Sequence, residues 1–221
     1  MPSQLSELDV DLAIRGHLEK GLESLKDEFA GVFSAETIER FMVMCVEQLP
    51  AARIQNFVPL FVHRFARERL RALGQSEGSI SKDIPEVLFV CVQNAGRSQM
   101  AAGLTDQMAA GRVHVRSAGS DPADEINQNV VAAMAEVGID IAQEFPKPMT
   151  DEVVKAADAV ITMGCGDSCP IYPGKRYEDW EITDPAELEL DGVREVREEI
   201  RDRVTALLGE LIPAQDSIAQ A

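Results

Sequence analysis

The first third of the chain is written in a helical period. Leu8, Leu12, Leu18, Leu22 and Leu25 fall on one side of a helix expected over residues 5–28. Gly31 interrupts it. Ser34 is placed to cap a second helix that runs through Ile38, Phe41, Val43, Cys45 and Leu49. A third helix is expected from Arg53 or Pro59 to Leu73, with Gly74 closing it. Phe29, Phe33, Phe57, Phe61 and Phe65 supply bulk for a shared interior, and Cys45, in the apolar run FMVMCVEQL, reads as one more core residue. Three helices with short connections predict an antiparallel bundle over residues 1–78. The polar stretch from Gln75 to Pro85 contains Gly and Pro, which places a linker at 79–85 before a second domain over 86–221.

From Glu86 the pattern changes. VLFVCV (87–92) is a short apolar run suited to a buried strand, and a helix follows over 98–110. VHVRSAG is a second strand ending at a glycine. NQNVVAAMAEVG is a helix closed by Gly138. EVVKAADAVITMG gives a helix and then the strand AVITM, and GVREVREEIRDRVTALLGELI is a long terminal helix. Strands alternating with helices predict an α/β domain, a parallel sheet with helices on both faces. Ligands of such sheets bind beyond the carboxyl ends of the strands.

One strand end carries chemistry. Cys91 and Arg97 bracket five residues, followed at once by Ser98, in VLFVCVQNAGRSQMA. A loop of that length between a strand and a helix can curl until the N–H groups of Val92, Gln93, Asn94, Ala95, Gly96, Arg97 and Ser98 converge as a nest for a tetrahedral oxyanion. The helix behind it adds its positive end, and Arg97 adds a two-pronged donor. Cys91 would lie beneath the anion as a nucleophile, with donors that favour its thiolate. Ser98 can donate to the sulfur. Asn94 and Gly96 suit the turns.

Charge and cysteine count narrow the partners. The net charge is −17: residues 1–82 carry 12 acidic and 10 basic side chains, and the remainder carries 26 and 11. Such an acidic surface argues against nucleic acid. No apolar run is long enough to span a membrane, and the beginning lacks the basic-then-apolar pattern of a secretory signal, which points to the cytoplasm. Cys45, Cys91, Cys165 and Cys169 do not make a secreted disulfide framework. Cys165 and Cys169 have a spacing that zinc accepts, but further ligands would have to come from distant cysteines or from scattered His17, His63 and His114. No metal and no cofactor is expected. His114 alternates with valines and reads as a strand residue.

The segment VLFVCVQNAGRSQMA, with RSAGS at 116–120, VITMGCGDSCPIYPGKRYEDWEITDP and the terminal helix, resembles the low-molecular-weight tyrosine phosphatase fold over roughly residues 85–215. Within that fold it is most similar to cysteine-dependent arsenate reductases of the type with an N-terminal three-helix extension, as seen in actinobacteria. The resemblance implies that the acid of the late Asp-Pro pair, here Asp184, protonates the departing oxygen. Asp121-Pro122 is a second such pair, but it follows RSAGS and reads as a turn. The resemblance also implies a relay. Cys91 forms an adduct with arsenate, Cys165 attacks Cys91 as arsenite leaves, and Cys169 attacks Cys165 to leave a disulfide for thioredoxin. Gly164 and Gly166 would give the handover its freedom.

Two departures stand out. Only Gly166, Asp167 and Ser168 separate the relay cysteines, fewer than in staphylococcal-type reductases, and Ala102 stands where relatives carry a glutamate associated with potassium. Other readings stay open. An arsenate–mycothiol transferase would use mycothiol and mycoredoxin in place of thioredoxin. A protein tyrosine phosphatase would want aromatic residues around its cleft, for which Tyr172, Tyr177 and Trp180 are the candidates. A non-enzymatic interaction protein would act through its bundle. The bundle is suited to a dimer contact, a partner or a shield, and its sequence does not choose among them.

Overall fold

The computed structural model describes residues 4–49, 58–165 and 169–212. Arg53 and Phe57, and Gly166 in the relay segment, lie outside those residues. The chain forms two compact units, one comprising 1–82 with 147–156, the other 83–146 with 157–221.

The first unit holds α1 (Leu12–Glu28), α2 (Ala35–Gln48), α3 (Val58–Glu77) and α6 (Asp151–Ala156). The continuous helix expected from residue 5 is broken. A 3-10 turn occupies Gln4–Glu7, and α1 starts afresh after Asp11, whose carboxylate accepts from the Ala13 N–H at 2.8 Å. An aspartate there satisfies an otherwise orphaned helical amide better than a further turn of helix would. Leu12 is consequently 81% exposed, not part of the apolar face, whereas Leu18, Leu22 and Leu25 are buried. Ser34 caps α2 as expected, accepting from Thr37 N–H at 3.1 Å.

Gly74 does not close α3. The helix continues to Glu77, and Gly78, with φ +77°, follows it. Gly74 supplies space instead: a Cβ there would stand 2.5 Å from Cδ1 of Ile80. The segment 147–156 joins this unit through α3, where Lys147 Nζ donates to Glu68 at 3.0 Å and Arg69 Nε donates to Glu152 of α6 at 2.5 Å.

The second unit is built on β1 (Glu86–Cys91), β2 (His114–Gly119), β3 (Ala159–Met163) and β4 (Arg176–Asp179), with α4 (Arg97–Ala109), α5 (Gln128–Ala135) and α7 (Leu190–Leu211). The sheet is parallel, in the order β2-β1-β3-β4. Val87, Phe89, Cys91 and Ile161 join α4, α5 and α7 in one core. Leu88, Val90 and Val160 alternate to the opposite face and are also fully buried, so both faces are covered. Register places Cys91 opposite Gly119 on one side and Met163 on the other. The carboxyl ends of the three strands are therefore level, and the reactive loops leave from one edge of the sheet.

The fourth strand was not predicted. RYED has no apolar alternation, and it pairs only with β3, as an edge strand where polar residues are tolerated. Among the described residues no helix is long and apolar enough to cross a membrane.

Candidate active site

Cys91 ends β1, and the loop that follows is held by its carbonyl groups. Those of Cys91, Val92, Gln93 and Ala95 accept from the N–H groups of Ser120, Asp121, Ala123 and Asn127, at 2.9–3.1 Å. The Asn94 carbonyl accepts from Gln99 Nε2 at 3.1 Å, and that of Gly96 accepts from Met100 N–H at 2.9 Å. Six successive carbonyls are thus drawn outward. In a trans peptide the following N–H points the opposite way, so the amides of residues 92–97 face the concave side. Asn94 takes the left-handed conformation (φ 49°) that this curl needs, and its N–H points at Cys91 Sγ from 3.2 Å. No side chain caps α4 at Gly96, which leaves the positive end of the helix directed at the loop.

The sulfur has a second polar neighbour. Ser98 Oγ lies 3.0 Å from Cys91 Sγ and accepts from Asn94 Nδ2 at 2.8 Å, which directs its own hydroxyl hydrogen toward the sulfur. Gln99 Nε2 braces Asn94 and also reaches the Phe145 carbonyl at 3.3 Å. Cys91, Asn94, Ser98 and Gln99 are all buried. A thiolate here would be held by an amide, a hydroxyl and a helix end.

Arg97 Nη2 donates to Asp184 Oδ2 at 2.6 Å, and Nη1 approaches the Ile182 carbonyl at 3.4 Å. The guanidinium is mostly buried (10% exposed), whereas the Asp184 side chain is 53% exposed, so the carboxyl stands at the mouth of the site. Asp184 Oδ1 also accepts from Ala186 N–H. Asp121, of the competing Asp-Pro pair, contributes its backbone to the loop's support and its side chain is exposed.

Cys165 lies two residues beyond Met163, the register partner of Cys91, at the same edge of the sheet. Gly164 makes that turn at φ +76°, and a Cβ on it would come 2.9 Å from Arg97 Nη1. The left-handed φ is what requires glycine there. Cys165 is 6% exposed; burial pushes its thiol up, with smaller upward contributions from Asp179 and Cys91. Cys169 is partly exposed. Burial, then the neighbouring Cys165, pushes its thiol up to about 11. All four cysteines are free thiols.

Several contributors have no sequence signature. The donors at 120, 121, 123 and 127 act through backbone, and only Asn127 leaves a trace, as the cap of α5. Gln99 reads as an ordinary helical residue. Two of the three aromatic candidates for a cleft are otherwise engaged. Trp180 is buried against Phe89, with ring centroids 5.8 Å apart, and Tyr177 hydrogen-bonds within the loop after Cys169.

Known proteins resemble this chain in sequence and fold. A putative arsenate reductase of Halobacterium salinarum is 35% identical over 130 residues, 57% of this chain and 92% of that protein. A glutaredoxin arsenate reductase of Synechocystis sp. is 34% identical over 129 residues, 57% of this chain and 98% of its own length. A solved structure, the thioredoxin-dependent arsenate reductase of Corynebacterium glutamicum, is 44% identical with a TM-score of 0.79, covering 89% of this chain and 96% of that one. Residues 18–74 match a protein-tyrosine-phosphatase-like N-terminal domain. Residues 86–217 match the low molecular weight phosphotyrosine protein phosphatases, and this chain belongs to that family.

Proposed function

We propose that this protein reduces arsenate to arsenite, with electrons from a thioredoxin-type dithiol protein. The observation that carries this reading is the placement of Cys165 at the strand edge of Cys91, with Cys169 beside it, next to an oxyanion loop. A phosphatase has no use for two further thiols there. The similarity to arsenate reductases, one of them thioredoxin-dependent, points the same way.

In the first step the Cys91 thiolate attacks arsenic(V). An oxygen leaves as water with a proton from Asp184, which takes up that proton once the anion has replaced it on Arg97, and the loop amides and Arg97 hold the remaining oxygens. Cys165, as thiolate, then attacks Cys91 Sγ. The sulfur–arsenic bond breaks, its electron pair stays on arsenic, and arsenite departs. Cys169 attacks Cys165 Sγ, releasing Cys91 as thiolate and closing a Cys165–Cys169 disulfide. The partner dithiol reduces that disulfide and becomes oxidised itself, which balances the two electrons taken up by arsenic. Desolvation disfavours both Cys165 and Cys169 as thiolates, so each loses its proton before its own attack and is held as a thiol until then.

Arsenate turnover followed through NADPH oxidation tests this reading, with thioredoxin and its reductase or with mycothiol and mycoredoxin. The expected result is turnover with thioredoxin that Cys91→Ser, Cys165→Ser and Cys169→Ser each abolish. Turnover only with mycothiol, indifferent to the last two substitutions, would instead mark a transferase with one essential thiol.

A further inference from the structure

We infer that the Pro170–Ile171 ridge beside Cys169 is the docking point for the dithiol protein that regenerates the enzyme, an inference that rests on the relay proposed above. Among the described residues, large exposed hydrophobic side chains are few, and Ile171, at 81% exposure, shares the highest value with Leu12. It stands two residues from Cys169. Its backbone is pinned on both sides by one hydroxyl: Tyr177 OH accepts from Tyr172 N–H at 2.9 Å and donates to the Pro170 carbonyl at 3.2 Å. Pro170 fixes its own φ as well. An aliphatic side chain is thus presented to water on a braced backbone, two residues along the chain from the thiol that must be reached.

That arrangement suits a protein reductant better than a small thiol. A small thiol needs only access to sulfur and gains nothing from an apolar side chain two residues away. A protein must stay in place while its thiolate lines up with a partly buried disulfide. Anchoring on a pre-ordered apolar residue lowers the ordering cost of that encounter. Residues 83–221 are strongly acidic, with 26 acidic against 11 basic side chains, so only a basic partner would gain from charge and for any other apolar contact gains weight. The occupant is a protein whose surface dithiol sits in an apolar collar. It attacks Cys169, the more exposed of the pair, and Cys165 leaves as the thiolate.

Ile171→Asp tests this without threatening the fold, because the side chain is almost wholly in solvent. The expected result is a KM for thioredoxin raised about tenfold, the loss of one modest hot spot. Two controls should stay within about twofold: arsenite released in a single turnover without reductant, and the rate at which dithiothreitol reduces the Cys165–Cys169 disulfide. Tyr177→Phe, which removes the brace alone, is expected to raise the same KM by about threefold. An unchanged thioredoxin KM in Ile171→Asp, with the wild type turning over, would overturn the docking site and leave the relay standing. A wild type that thioredoxin cannot reduce would overturn the relay, and the docking site with it.

Discussion

Among the described residues, a buried arginine lies near a cysteine in both units, and the two places differ. In the helical unit, the Arg69 guanidinium sits over the rings of Phe41 and Phe65, 5.0 and 5.5 Å from their centroids. It donates to Glu152 and Gln48 and points Nη1 at Cys45 Sγ from 3.7 Å. In the α/β unit, Arg97 is held chiefly by Asp184, a half-exposed carboxylate at the mouth of the site. Arg69 is paired with a side chain that is only 11% exposed, so its charge is neutralised inside the fold. The surroundings of the thiols differ as much. Burial pushes the Cys45 thiol up to about 12 despite the adjacent arginine. Cys91 instead has a backbone amide, a hydroxyl and a helix end directed at it. Proximity of cysteine and arginine therefore does not make a nucleophile. What sets Cys91 apart, on the proposed function, is the backbone amide and hydroxyl at its sulfur and an arginine whose partner can yield to an anion.

The sharpest way to break this contrast is to substitute the two arginines. Arg97→Lys keeps a positive charge but loses the planar two-pronged donor. The expected result is a fall in kcat/KM for arsenate of about a thousandfold, comparable with removal of a strong oxyanion donor. Circular dichroism and melting should remain close to those of the wild type. If activity survives within a few-fold, Arg97 is a structural partner of Asp184, and the distinction from Arg69 collapses.

Arg69→Met should do the reverse. It conserves much of the apolar volume but leaves the Glu152 carboxylate without its cation in a nearly closed site, at an expected cost of about 3 kcal/mol in urea unfolding. The folded fraction should retain the wild-type kcat/KM. Adding Glu152→Gln should recover part of the loss. A double variant no better than the single one would show that Arg69 acts through its contacts with the two phenylalanines and not through the ion pair.

The contrast also explains which parts were legible. The candidate oxyanion loop is contiguous: Cys91, Asn94, Gly96, Arg97 and Ser98 lie within one turn-forming segment, so spacing alone singled it out. Its outer scaffold is made of backbone N–H groups at 120–127, which no side chain announces. Arg69, Glu68, Lys147 and Glu152 read as the solvated charges of ordinary helices. Their pairing joins positions about eighty residues apart and draws 147–156 into the helical unit, a relation that helical periodicity does not encode. Gly74 misled in a simpler way. Helix-ending glycines and glycines that admit a neighbour look alike in sequence, and here Ile80 decides between them.

The smallest effect tests the cysteine half of the comparison. The ordinary thiol value is 9.0, and folding raises that of Cys45 to about 12, mainly by desolvation, with Arg69 offsetting only part. The raised group is neutral in the folded chain, so its contribution to stability is complete below pH 9 and is lost progressively as the pH climbs toward about 12. The loss is about 1.4 kcal/mol per pH unit within that window. Cys45→Ala removes this dependence while leaving every other titrating group in place. Urea unfolding of both proteins at about pH 8 and about pH 10 isolates it: the wild type should lose about 1.4 kcal/mol more than the variant between the two. Identical losses would mean that the Cys45 thiolate is tolerated beside Arg69. Arsenate turnover should be the same in both proteins at the lower pH, because Cys45 has no part in the proposed relay of Cys91, Cys165 and Cys169.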